Sequence, residues 1–285
     1  MLGAAGFIGR HARSALEETG FSVVAVPRFD SAEPGTVSAL RRWLSESGPQ
    51  TVVNCAGVLY GSHAELQAGN IHLVTDWLEA LEASGIRFVQ IGSAAEYGPG
   101  PPGVLVDEER PARPLSVYGE TKLRATQLVL EGARSGRVAA CVLRVFNPVG
   151  SGNSVHSLPG RAARLIRRAL ANGGPVELGP LSATRDFVDV RDVAEAVVAA
   201  CAVKAAGGQL VNVGSGKGTA GRELVGLLAR AAGYTGEILE AGAGSPRSDE
   251  VPWQVADISR AAVLLGWAPR RTLEEAVALL WSSVA

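Results

Sequence analysis

Four short runs of unbroken apolar and β-branched sequence punctuate the first half of the chain: FSVVAV at 21–26, TVVNCAG at 51–57, RFVQIGS at 87–93 and VAACVLRVF at 138–146. None alternates polar with apolar residues, so each reads as a strand covered on both faces. Helical periodicity fills the gaps, at 10–19 ending on Gly20, at 36–47, at 70–84 ending on Gly85, and at 118–133. Strand, helix and strand in alternation imply right-handed crossovers and a doubly wound parallel α/β sheet. After Gly150 the rhythm loosens. LVNVG at 210–214 reads as one more strand, and 220–232 and 272–283 read as helices. A smaller, interleaved C-terminal lobe is expected there.

The chain opens on MLGAAGFIGR, where Gly3, Gly6 and Gly9 give G-x-x-G-x-x-G, with Phe7 and Ile8 at the start of a helical pattern. Such a loop allows a tight turn, close approach of backbone to a diphosphate, and close packing of helix on strand. The helix N-terminus adds unpaired N–H groups and the positive end of its dipole. Taken alone, the pattern fits either a dinucleotide site or a glycine-rich turn. Only Met1 and Leu2 stand where about five strand residues are usual. The expectation is that the strand is completed upstream, because a stunted central strand leaves its neighbours short of ladder partners.

VYGETK at 117–122 places Tyr118 and Lys122 four residues apart, on one face of a helix. A phenol with an ordinary pKa of about 10 needs roughly three units of lowering, about 4 kcal/mol, to act near neutral pH. A neighbouring ammonium supplies part of that by favouring the phenolate. The spacing alone fits equally an exposed Tyr–Lys pair. Ser93, in IGSAAEYG, falls at the C-terminal end of a strand, where ligands bind in open α/β sheets.

The order of glycine loop, strand-end serine and Tyr-x-x-x-Lys resembles the extended short-chain dehydrogenase/reductase family, the NAD(P)-dependent epimerases, dehydratases and reductases of nucleotide sugars. The likeness runs over nearly the whole chain. VVNCAG at 52–57 is similar to the family's Asn-x-Ala-Gly strand end, and Asn70 to the asparagine that supports the active-site helix. LRVFNPVG at 143–150 is similar to a segment of UDP-galactose 4-epimerases. TRDFVDVRDVAEA at 184–196, VNVGSG at 211–216 and LGWAP at 265–269 match later landmarks.

The resemblance implies a Rossmann domain over 1–148, to which 183–214 returns, and a substrate lobe built mainly from 149–182 and 215–285. It implies Tyr118 as general acid/base, Lys122 as holder of the cofactor ribose and tuner of Tyr118, and Ser93 as orienter of substrate beside Ala94. Ala56 and Gly57 would line the cofactor. Asn147, Arg185 and Arg247 match positions that contact the nucleotide diphosphate, a task guanidinium groups suit through paired donors. Family members commonly dimerise through helices that include the one bearing Tyr118, so a homodimer is expected.

Two departures narrow the expectation. Dehydratases of the family carry an acidic pair after the strand-end Ser/Thr, and here Ala94 and Ala95 stand there. A dehydratase is therefore not expected. NAD-using members place an acid at the end of the second strand, but VVAVPRFD puts Pro27 and Arg28 there, with Asp30 beyond. Arg28 suits the 2′-phosphate of NADP, while Asp30 keeps NAD open. GSGKGT at 214–219 imitates a triphosphate loop but fails it, because Gly218 follows Lys217 and Val211 takes the first glycine position. A loop histidine, His156, is read as solvated.

A net charge of −1 gives no reason to expect nucleic acid or an anionic membrane as partner. The four histidines share no ligand-like spacing, so no metal site is expected. Cys55, Cys141 and Cys201 read as free thiols of a reducing compartment. No apolar run reaches spanning length and no signal peptide is legible, so a cytoplasmic protein is expected. The leading expectation is an NADPH-dependent reductase of a nucleotide-linked 4-keto-6-deoxysugar. The alternatives are an epimerase that retains NAD, a reductase of another small carbonyl compound, and a non-catalytic NAD(P) sensor.

Overall fold

The computed structural model describes residues 1–31, 33–203, 207–241 and 251–284. Its main sheet is parallel, with strand order β1 (Thr51–Asn54), β2 (Arg87–Ser93), β3 (Ala140–Val145) and β7 (Leu210–Val213). The registers Val53↔Val89, Val89↔Cys141 and Leu143↔Val211 align the strands. Successive residues serve opposite faces. Val53, Val89, Ile91 and Leu143 meet the helices α1 (Phe7–Glu18) and α7 (Val190–Ala202). Val52, Phe88 and Val142 meet α2 (Thr36–Ser47), α4 (Leu73–Leu81) and α5 (Val117–Arg134). Both faces are covered, which is why the strands read as unbroken apolar runs.

Met1 and Leu2 extend this sheet. The Leu2 amide donates to Val53 O at 2.9 Å, and Leu2 O accepts from the Cys55 amide at 3.2 Å. Their side chains divide between the two cores as strand residues should, Met1 on the α1 face and Leu2 on the α2 face. The run 21–26, expected as a strand, does not form a regular ladder. Its backbone bonds to the sheet are Val26 N to Met1 O at 2.9 Å and the Met1 ammonium to Val24 O at 2.6 Å, while the Phe21 amide donates to Leu16 O at 2.9 Å. Phe21 and Val24 stay exposed.

A second sheet joins β4 (Asn147–Val149), β6 (Thr184–Asp189) and β10 (Trp253–Gln254), with β8 (Gly218–Ala220) antiparallel to β6; β5 (Val176–Glu177) and β9 (Ile238–Leu239) form a small separate pair. Helices α6 (Leu158–Asn172), α8 (Gly221–Ala232) and α10 (Leu273–Ser283) close another core around Ile166, Phe187, Leu224, Leu228 and Leu280. Strand β6 belongs to both cores, since Phe187 faces this one and Val188 the α1 face of the main sheet. α9 (Ser259–Leu265) packs back on β7. Burial pushes the Cys141 thiol up to about 11 and the Cys201 thiol up to about 12, so both stay protonated at neutral pH. Among the described residues, no helix is long and apolar enough to cross a membrane.

Candidate active site

The glycine loop links Leu2 to α1. Gly3 turns with φ +65°, and a Cβ there would lie 2.7 Å from the Ala56 amide nitrogen. The Gly6 amide donates back to Gly3 O at 2.9 Å. Gly9 packs so closely that a Cβ would lie 1.9 Å from Gly3 O. α1 starts at Phe7 behind Gly6, with no side chain capping it. The first N–H groups of Phe7 and Ile8 thus have no side-chain cap and are available to an anion. This shape suits a dinucleotide diphosphate. His11 Nε2 meets Ser151 O at 3.0 Å, and the Tyr60 and His156 rings lie 5.1 Å apart, so the 150–157 loop is tied to both α1 and the 58–61 loop.

α5 brings Tyr118 and Lys122 to the strand ends. Ser116 caps it, accepting from the Gly119 amide at 3.1 Å. Gly119 then packs on the Ala95 carbonyl, where a Cβ would lie only 2.6 Å from the oxygen. The first turn of α5 is thereby seated beside the turn that follows Ser93. Lys122 is buried and its Nζ donates to Ile91 O at 2.6 Å. Burial pulls its pKa below the ordinary lysine range, while the Glu96 carboxylate opposes that pull. Gly57 leaves the space beside it, since a Cβ there would lie 3.0 Å from Asn70 Oδ1 and 3.9 Å from Lys122 Nζ.

Asn70 sits within one π-helical turn, Ala68–His72, between α3 (His63–Gln67) and α4. Its amide donates to Val58 O at 2.9 Å and to Thr121 Oγ1 at 3.1 Å, and its Oδ1 accepts from the Val58 amide at 2.9 Å. Thr121 Oγ1 donates in turn to Tyr118 O at 3.0 Å. One buried carboxamide therefore joins the loop after β1 to the turn that carries Tyr118. The irregular turn gives no sequence signal, although the asparagine itself was legible by resemblance.

At the end of β2, Ser93 Oγ accepts from the Ala95 amide at 3.2 Å, which leaves its O–H to point elsewhere. Two charged residues that the sequence reading passed over stand behind it. Glu96 Oε1 accepts from the Ser93 amide at 2.7 Å, and its Oε2 accepts from Arg144 at 2.6 and 2.9 Å. The only sequence signal was a glutamate three residues after a serine, the spacing of a reciprocal cap. Ala94 is buried, and its carbonyl accepts from Gln254 Nε2 at 2.9 Å.

Asn147 and Arg185 approach from the second sheet. Asn147 Nδ2 donates to Asp186 O at 2.9 Å. Arg185 donates to Thr184 O at 3.0 Å, and burial pulls its guanidinium down to about 10, still charged at neutral pH. The buried Asp186 carboxylate accepts from the amides of Ser215, Gly216 and Ala256 and from Ser215 Oγ. Most of those donors come from the GSGKGT segment, which is thereby occupied by a carboxylate of its own chain. Arg28 is exposed, and the Asp30 carbonyl accepts from Thr36 Oγ1 at 2.6 Å. The Ala56 amide donates to Asn54 Oδ1 at 3.0 Å. Arg247 lies outside the described residues.

The chain matches the family model described as "NAD dependent epimerase/dehydratase family" over residues 1–214. It is 38% identical over 300 residues to dTDP-6-deoxy-L-talose 4-dehydrogenase (NAD(P)(+)) of Kitasatospora kifunensis, covering 99% of this chain and 94% of that protein. The structure of RMD from Pseudomonas aeruginosa complexed with NADPH superposes with a TM-score of 0.87 at 27% identity, covering 99% of this chain and 97% of that one. UDP-glucose 4-epimerase of Thermus thermophilus, solved in complex with NAD, superposes at 0.84 and 27% identity, with the same coverage. The chain belongs to the NAD dependent epimerase/dehydratase family, the extended short-chain dehydrogenase/reductase class of NAD(P)-dependent oxidoreductases and epimerases.

Proposed function

We propose that the protein is an NAD(P)H-dependent reductase of a nucleotide-linked 4-keto-6-deoxysugar. The observation that carries this reading is the end-to-end similarity, at 38% identity, to a relative named for oxidising a dTDP-6-deoxyhexose at C4. Oxidation of a C4 hydroxyl and reduction of the 4-keto sugar are one reaction read in two directions. Ala94 and Ala95 support it further, since neither can remove a proton to eliminate water.

In the reductive direction Tyr118 gives its phenolic proton to the carbonyl oxygen while Ser93 donates a hydrogen bond to the same oxygen. When bound, the dinucleotide supplies the hydride. Lys122 presents its positive charge on the same helix face and so favours the phenolate that remains. Asn70 holds the turn beneath. Gly3, Gly6, Gly9, Ala56 and Gly57 shape the backbone around the cofactor, and Asn147, Arg185 and Arg247 hold the substrate's diphosphate. Residues 1–148 with 183–214 form the cofactor part, and 149–182 with 215–285 the substrate part. A homodimer through helices that include α5 belongs to the same proposal. So does a cytoplasmic location, which three free thiols suit.

The test is turnover of a dTDP-4-keto-6-deoxyhexose with NADPH and with NADH, read from the absorbance of the reduced cofactor. The proposal expects consumption that falls about 10²–10⁴-fold in Tyr118→Phe. It also expects NADPH to be preferred, and Arg28→Ala to weaken NADPH more than NADH. If the purified protein retains NAD and equilibrates C4 epimers with no net oxidation, it is an epimerase and the proposal fails.

A further inference from the structure

We propose that Glu96 is a positioning residue of this site: held from behind by Arg144, its carboxylate fixes the backbone of Ser93. The proposal rests on the reading of Ser93 as part of the catalytic site. Glu96 is fully buried, as is Arg144 within a few per cent. Its Oε2 is gripped by two nitrogens of Arg144, while Oε1 takes the Ser93 amide. Arg144 is itself held over the Tyr97 ring, 4.1 Å from its centroid. The carboxylate is therefore pinned from behind and faces the end of β2. β2 makes room for it: a Cβ on Gly92 would lie 2.9 Å from Glu96 Oε1 and 3.1 Å from Val142 Cγ1.

A buried ion pair is a weak device for stability, since apolar residues of similar volume serve as well or better. Its placement against Ser93 is what the arrangement accomplishes: Glu96 Oε1 takes the Ser93 amide while the Ser93 hydroxyl oxygen takes the Ala95 amide. The Tyr97 phenol, whose ring lies under Arg144, is pushed up to about 12 and stays neutral, so it brings no competing charge to the pair.

The test compares Glu96→Gln, in which the Ser93 amide keeps an acceptor, with Glu96→Ala, in which it loses one, and with Glu96→Ala/Arg144→Met, which also removes the stranded buried cation. In 15N-labelled protein the Ser93 amide should be protected from solvent exchange in wild type and Glu96→Gln, and should lose that protection in both Glu96→Ala variants. kcat should fall by up to about 10²-fold in the two Glu96→Ala variants with KM little changed, and Glu96→Gln should keep most of it. If the Ser93 amide exchanges alike in all four proteins, or kcat is unchanged in the charge-balanced double variant, the pair is merely structural and the proposal is wrong. The exchange measurements need no substrate, so absence of turnover on the sugar nucleotide would count against the proposed function and leave this inference standing.

Discussion

Lys122 is held where its charge is least welcome. Burial depresses its pKa, so the unfolded chain binds the proton more readily than the folded one. Below the depressed value both states are protonated and the full penalty is present. As pH rises from there toward the ordinary lysine value, about 10.4, the penalty is progressively relieved and stability rises. Lys122→Met is therefore expected to gain stability at neutral pH, to lose that advantage as pH climbs, and to lose activity throughout. Denaturant unfolding of both proteins across pH measures it, and a difference independent of pH would contradict the account. Gly9 is a simpler constraint of the same scale. With a Cβ placed 1.9 Å from Gly3 O, Gly9→Ala must deform the loop, at a cost of about 1–3 kcal/mol and with weakened cofactor binding. Gly226→Ala, whose Cβ meets only Arg230 at 3.6 Å, is the matched control and should stabilise α8 by about 0.5–1 kcal/mol.

Among the elements, α5 carries Tyr118 and Lys122, the residues proposed for the chemistry, and its seating is a backbone matter. Gly119 presses on the Ala95 carbonyl, so Gly119→Ala should push the first turn away from Ser93. Circular dichroism should show the fold retained while kcat falls by about 10²-fold, the order expected for a misplaced reacting group. An unchanged kcat would mean that α5 is positioned by Asn70 and Thr121 alone. Much of this element was legible: Tyr118, Lys122 and the helical pattern over 118–133 are local signals. The π turn at Ala68–His72 was not, because one extra residue in a helical turn leaves no trace in composition. The pairing of Glu96 with Arg144 was not, because it joins residues 48 apart in sequence, and each alone reads as a cap or as a lapse in an apolar run. The run 21–26 was read as a strand from its own residues. Whether a ladder forms depends on what lies beside it, which the run's own residues do not carry, and its two bonds to Met1 do not make one.

Across the whole molecule, the two cores share β6, and a polar clamp fixes the C-terminal segment to α7. Buried Asp192 accepts from Arg271 Nη1 at 2.5 Å and from the amides of Arg270 and Arg271, and its carbonyl accepts from Trp267 Nε1 at 3.0 Å. Of the landmark residues of 184–196, Asp186 and Asp192 thus organise loops. Because β6 contributes to both cores, the main sheet and the second sheet are joined in one structure. Sedimentation should find a species of twice the chain mass if α5 pairs between copies, and the chain mass alone if it does not. The central claim, that this site delivers hydride to a sugar carbonyl, is tested most directly with NADPH deuterated at the transferable position. Incubated with a dTDP-4-keto-6-deoxyhexose, the protein should yield a product carrying deuterium at C4, one label for each cofactor oxidised, and Tyr118→Phe should yield almost none. Product without deuterium, or C4 epimers that equilibrate while the added cofactor stays reduced, would contradict it.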